Sequence, residues 1–172
     1  MNILEENGKG YYEEVSTKEI DEFLDKYSLE SPKEFYKFYS HYNGFKLIDQ
    51  DLQFIYRFDQ PFGTRDQLEF DLFLPTDTLF INYESNAGVA FPKGTIPFID
   101  PQEGEIVISL RNDSFGKIYF CESNPTNEQM PEDAFEIVMS KFNPMENQLP
   151  GNVKELAGSF NEFSNLLKIE EW

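Results

Sequence analysis

Ile20, Phe23, Leu24 and Tyr27 recur at helical spacing, with Asp21, Glu22, Asp25 and Lys26 between them. This pattern predicts an amphipathic helix with one apolar face. Ser16 and Glu19 stand at capping-box spacing at its start, and Val15 and Ile20 take the staple positions. A second helix is predicted just beyond, with Ser31 as cap, Pro32 at the first helical position and Glu34 completing a box. Phe35, Phe38, Tyr39 and Tyr42 form its apolar stripe, and Asn43-Gly44 supplies the left-handed residue that ends it.

The period then changes from helical to alternating. Residues 52–58 read as a strand. Leu68, Phe70, Leu72 and Leu74 alternate with Glu69, Asp71 and Phe73, which predicts a strand with one apolar and one mostly acidic face. Residues 78–83 and 96–99 are further predicted strands, with Pro97 marking an edge or a bulge in the second. Ile106, Ile108 and Leu110 alternate with Val107 and Ser109, and residues 117–121 return as a hairpin across the turn-rich stretch 112–116. Phe135, Val138, Met139 and Phe142 fit a helix, although Phe135, Ile137 and Met139 also fit a strand. The helix is the preferred reading, and Asn143-Pro144 ends the element in either case. A last helix follows the box Ser159/Glu162 and carries Phe160, Phe163, Leu166 and Leu167 on its face. Helices, then strands, then helices predict an α+β fold with a single largely antiparallel sheet flanked by helices. No repeat, low-complexity tract or linker interrupts it, so one domain is expected over residues 1–172, with its core between about 16 and 167.

Composition changes this picture in one respect. With 18 Phe and 9 Tyr, the chain has enough bulky apolar surface to build a core without disulfides or metal. Its charge, however, is lopsided: 32 acidic residues face 14 basic ones, for a net charge of −18. Such a field repels phosphate backbones, which argues against direct nucleic-acid binding. It either steers a basic partner inward or serves solubility alone. Cys121 is the only cysteine, in keeping with a reducing compartment such as the cytoplasm. The polar, acidic start predicts no signal peptide, and no apolar run approaches the ~20 residues that span a bilayer.

Candidate chemistry is sparse. His41 is the only histidine, so the usual Cys/His zinc site cannot be assembled. A nucleophile–histidine arrangement would need that same residue, which lies on the flank of the second helix. Asp49, Asp51 and Gln53 begin like a calcium loop, but Phe54 stands where glycine is needed and Gln60 where a bidentate glutamate is needed. Glu69 and Asp71 project from the same strand face about 7 Å apart. That spacing suits a hard cation, general acid/base work or an ordinary solvated surface. No cofactor motif is present, and no enzyme activity is expected.

Four ordered segments resemble the SUKH superfamily of bacterial toxin-immunity proteins. The first is Ser31-Pro32-Lys33-Glu34-Phe35-Tyr36-Lys37-Phe38-Tyr39-Ser40-His41-Tyr42-Asn43-Gly44, an aromatic-rich helix that starts on proline and closes on Asn-Gly. The second is Ile96-Pro97-Phe98-Ile99-Asp100 with Gly104-Glu105-Ile106-Val107-Ile108-Ser109-Leu110 after it. The third is Phe115-Gly116-Lys117-Ile118-Tyr119-Phe120, and the fourth is Leu156-Ala157-Gly158-Ser159-Phe160-Asn161-Glu162-Phe163. Residues 124–151 are longer than the family's usual link, and residues 49–84 match loosely. The resemblance implies a sheet flanked by helices and an immunity protein that binds and blocks a cognate toxin. Many toxins countered by this superfamily are nucleases or other nucleic-acid-modifying enzymes with basic clefts, which suits an acidic inhibitor.

Phe35, Phe38, Tyr39, Pro97, Gly116, Tyr119, Phe160 and Phe163 are expected in core or turn. Charge and periodicity supply the contact candidates instead: Glu69, Asp71, Asp100, Glu103 and Asp113. The expected partner is a protein toxin with a basic surface. A regulatory scaffold on the same fold is the alternative within the superfamily, and a carboxylate-based or metal-dependent hydrolase is the alternative of another class.

Overall fold

The computed structural model describes residues 8–12, 17–85, 94–101, 104–122 and 153–171. Its elements in chain order are β1 (Gly8–Tyr12), α1 (Thr17–Tyr27), α2 (Lys33–Tyr39), β2 (Asn43–Leu47), β3 (Leu52–Phe62), β4 (Arg65–Phe70), β5 (Leu72–Phe73) and α3 (Thr76–Ser85). There follow β6 (Thr95–Ile99), β7 (Gly104–Ser109), β8 (Ile118–Glu122), β9 (Val153–Ala157), α4 (Phe160–Leu166) and β10 (Lys168–Glu171). The α+β class is as expected, but the single sheet is not. Among the described residues three antiparallel sheets are present, in the orders β1-β2-β5, β10-β3-β4 and β6-β7-β8-β9.

Asp71 is one reason for the division. The predicted strand 68–74 breaks there, and β4 and β5 belong to different sheets. Phe73, expected on the acidic face, is completely buried instead. Leu68 and Phe70 keep the spacing of two, but Phe70 and Phe73 are three apart. The kink at Asp71 shifts the phase, so that both phenylalanines reach the core.

The predicted strand at 78–83 is also corrected, because these residues lie in α3. Its first turn is held from outside, where the Thr76 N–H donates to Asn43 Oδ1 at 2.9 Å, and from within, where the Leu79 N–H donates to Pro75 O at 3.0 Å. Helical spacing then turns Phe80 and Tyr83 toward Phe23 of α1. Phe23 stacks on Phe80 with centroids 4.0 Å apart and meets Tyr83 edge-on at 5.4 Å. Tertiary contact overrides a local sequence that alternates well enough for a strand.

α1 buries Ile20 and Phe23 as its periodicity predicts, while its capping residues Val15 and Ser16 lie outside the described residues. α2 starts one residue later than expected. Pro32 is its cap, with extended ψ of 132°, and no side chain caps the helix, so Ser31 and Glu34 do not form a box. The helix has already ended at Tyr39 when Gly44 is reached. Gly44 is left-handed (φ +72°), but it opens β2, and a Cβ there would lie 3.0 Å from Phe73 O and 3.1 Å from Pro75. The helix or strand expected within 135–142 lies outside the described residues.

Pro97 meets both expectations placed on it. β6 is an edge strand, and its register against β7 slips between Pro97 and Ile99. The β7–β8 hairpin pairs Ile106 with Phe120 and Ile108 with Ile118. Every residue matched in the resemblance and assigned to core or turn is buried or turn-forming, with Gly116 left-handed at φ +80°.

An aromatic cluster fills the core. Phe160 of α4 lies within 5.2–5.8 Å of Phe35, Phe38 and Phe98, measured between ring centroids. Phe73 of β5 contacts Phe54 of β3 at 5.6 Å and Phe98 of β6 at 6.1 Å, drawing all three sheets onto one centre. Ring pairs at these distances add to the energy of burial. α4 is capped as expected: Ser159 Oγ accepts from the Glu162 N–H at 3.1 Å. The Glu162 carboxylate reaches back to the Gly158 N–H at 2.8 Å, one residue before the cap. Leu166, expected on the buried face, is 48% exposed, and Leu167 takes the inner place.

Candidate protein-binding groove

β4 is the outer strand of its sheet. Its exposed flank borders a groove of about 330 Å³. Buried Leu68 and Phe70 of β4, together with Pro101, give the groove an apolar floor. Glu69, Asp71 and Asp100 are exposed along it. Three of the five contact candidates are thus brought together, two by their spacing in sequence and the third by the packing of the β6 end beside β4.

The remaining groove side chains are held in place. Gln67 Nε2 donates to Glu69 Oε1 at 2.6 Å, fixing one wall. At the far end, Arg65 forms an ion pair with Glu122 at 3.3 Å, and its guanidinium lies 6.0 Å from the centre of the Phe120 ring. This arginine is committed to a carboxylate, so the open length of the groove is negative.

Asp113 is not part of the groove. It sits in the β7–β8 turn and receives a two-point contact from Arg111, with Nε to Oδ1 at 3.1 Å and Nη2 to Oδ2 at 2.9 Å. The arginine holds its carboxyl below the usual range. Such pairing suits a brace for the turn more than a free contact. Glu103 lies outside the described residues.

One acid escaped sequence reasoning. Glu105 of β7 is half-buried, and its Oε2 is enclosed without a hydrogen-bond partner among the described residues. Burial, and secondly the charge of Asp100, push its carboxyl up to about 7. Asp100 is itself raised by partial desolvation. The alternation of Ile106 and Ile108 puts Glu105 on the opposite face with Val107. Nothing local reveals that this face is covered too, by a second cluster of Val107, Tyr119, Cys121 and Val153.

The reactive residue types are placed unfavourably for catalysis. Cys121 is fully buried, and burial, with a contribution from Glu105, pushes its thiol far up, so the thiolate that attack requires is not formed. His41 is exposed in the turn after α2, its ring 4.5 Å from that of Tyr42. Asp49 accepts the Asp51 N–H at 3.0 Å, which makes the calcium-like stretch an Asx turn between β2 and β3. No three His, Cys, Asp or Glu side chains among the described residues are grouped to hold a metal ion. No helix among them is long and apolar enough to cross a membrane.

No curated protein and no solved structure matches the chain. The model of the SMI1 / KNR4 family (SUKH-1) matches residues 14–166. That span takes in every segment of the resemblance, the groove strand β4 and the closing α4. With this match over most of its length, the chain belongs to the SMI1 / KNR4 family (SUKH-1).

Proposed function

We propose that this protein is an immunity protein, which binds a cognate bacterial toxin in a stoichiometric complex and neutralises it in the cytoplasm. The observation that carries this reading is the convergence of Glu69, Asp71 and Asp100 on one groove with an apolar floor. Family membership supports it, as does the net charge of −18. A toxin that grips nucleic acid presents a basic cleft. An acidic groove is complementary to such a surface in sign, and charge complementarity raises the rate of encounter.

The test is co-expression with a toxin encoded beside this chain's own gene. The chain should restore growth and elute with the toxin as a one-to-one complex. The variant Glu69→Lys/Asp71→Lys/Asp100→Lys should lose rescue while remaining folded, and the association rate of the parent should fall steeply between low and physiological salt. Absence of both rescue and complex would overturn the reading.

A further inference from the structure

Among the described residues, β4 pairs with β3 on one side and with no strand on the other. An unpaired edge carries a row of backbone N–H and C=O groups and is a template for another strand. Proteins usually blunt such edges, and three of the other edges here show how. β6 carries Pro97 and a register slip, and α3 packs against it. β5 has two residues and β10 four. β4 has six residues, Arg65-Asp66-Gln67-Leu68-Glu69-Phe70, with no proline and no lysine. It pairs with β3 without a slip from Phe70 back to Gln67, and among the described residues no helix covers its free side, which opens on the groove.

We infer that this edge receives an extended basic segment of a partner protein as an added strand, with the groove as its seat. The inference rests on the protein-binding reading above and specifies its mode. In an added strand, alternate side chains fall beside those of β4 on each face. Apolar residues of the incoming segment then lie next to Leu68 and Phe70 and over Pro101. Basic residues lie next to Glu69 and Asp71 and face Asp100. Backbone hydrogen bonds supply affinity that does not depend on sequence, and the alternation supplies selectivity. The same acids disfavour a second copy of this chain as occupant, because pairing two β4 edges brings Asp66 and Glu69 against like charges.

The probe is an end-blocked decapeptide of alternating lysine and valine, added to the full chain and followed by amide chemical shifts and hydrogen exchange. Exchange of the β4 amides that face the groove should slow at least tenfold, and the Asp100 resonance should move. A glutamate–valine decapeptide should leave both unchanged. The variant Glu69→Lys/Asp71→Lys should weaken binding tenfold or more. The lysine–valine peptide N-methylated at alternate residues keeps its charge but cannot complete the ladder, and it should give no protection. Equal binding of the methylated peptide, or protection confined to another edge, would overturn strand addition. So would an absence of binding. Growth rescue is a separate readout. A chain that rescues cells without β4 protection keeps its immunity role and refutes the added strand, and one that takes the peptide without rescuing does the reverse.

Discussion

At the scale of single residues, Glu105 differs from the other described acids in being enclosed without a donor among the described residues. Its neighbour Gly104 shows how tight this end of the ladder is: a Cβ there would lie 2.4 Å from the Phe120 ring and 2.6 Å from Cys121 O. A side chain at 104 would meet that ring and carbonyl, and the adjacent carboxylate is itself partly withdrawn from water. The folded carboxyl, at about 7, lies above its ordinary value of 4.5. The native state therefore holds more of this proton than the unfolded chain between those values, and stability from this group falls as pH rises through that window. Below about 4.5 the cost vanishes, and above about 7 it is complete. Partial solvation reduces the penalty, which we place at about 1–2 kcal/mol. Glu105→Gln should raise stability by that amount in urea unfolding at pH 8 and change little at pH 4.5. An unchanged pH slope between the two would contradict the assignment.

Elements were legible where their signals are local. The α4 cap could be read because Ser159 and Glu162 are three residues apart and bond to each other's neighbourhood. Ser159→Ala should cost about 1 kcal/mol in denaturant unfolding, whereas Ser31→Ala, which removes no cap bond, should stay within about 0.5 kcal/mol. Equal losses would show that the capping geometry is not what stabilises α4. α3 was not legible, because its start depends on Asn43, 33 residues earlier, and its face depends on Phe23. β1 and β2 include glycine, and β10 carries a single apolar residue, so none of them shows a clear alternation. The same limit applies to the groove. The spacing of Glu69 and Asp71 is written in the local sequence, at the end of β4 and the kink after it, but the approach of Asp100 is a product of tertiary packing, as is the burial of Glu105.

Across the whole molecule, packing rather than ion pairing joins the parts. Arg57–Glu170, Lys26–Glu84 and Lys117–Glu155 each bridge separate elements, yet all are substantially exposed, and such pairs contribute little. The aromatic cluster around Phe160 and Phe73 binds the sheets together. One pairing has a consequence in time. β3 meets β4 across a tight turn, but it meets β10 more than a hundred residues further along, where Arg57 bonds Glu170. Closing so long a loop is slow compared with forming a hairpin. In pulsed exchange during refolding, the amides of 168–171 should gain protection after those of 65–70, and simultaneous protection would refute this order. Before β10 arrives, the nascent ribbon is bare on both margins and open to misassembly with its neighbours. The acids that line the mature groove then act as gatekeepers, holding unfinished copies apart by mutual repulsion.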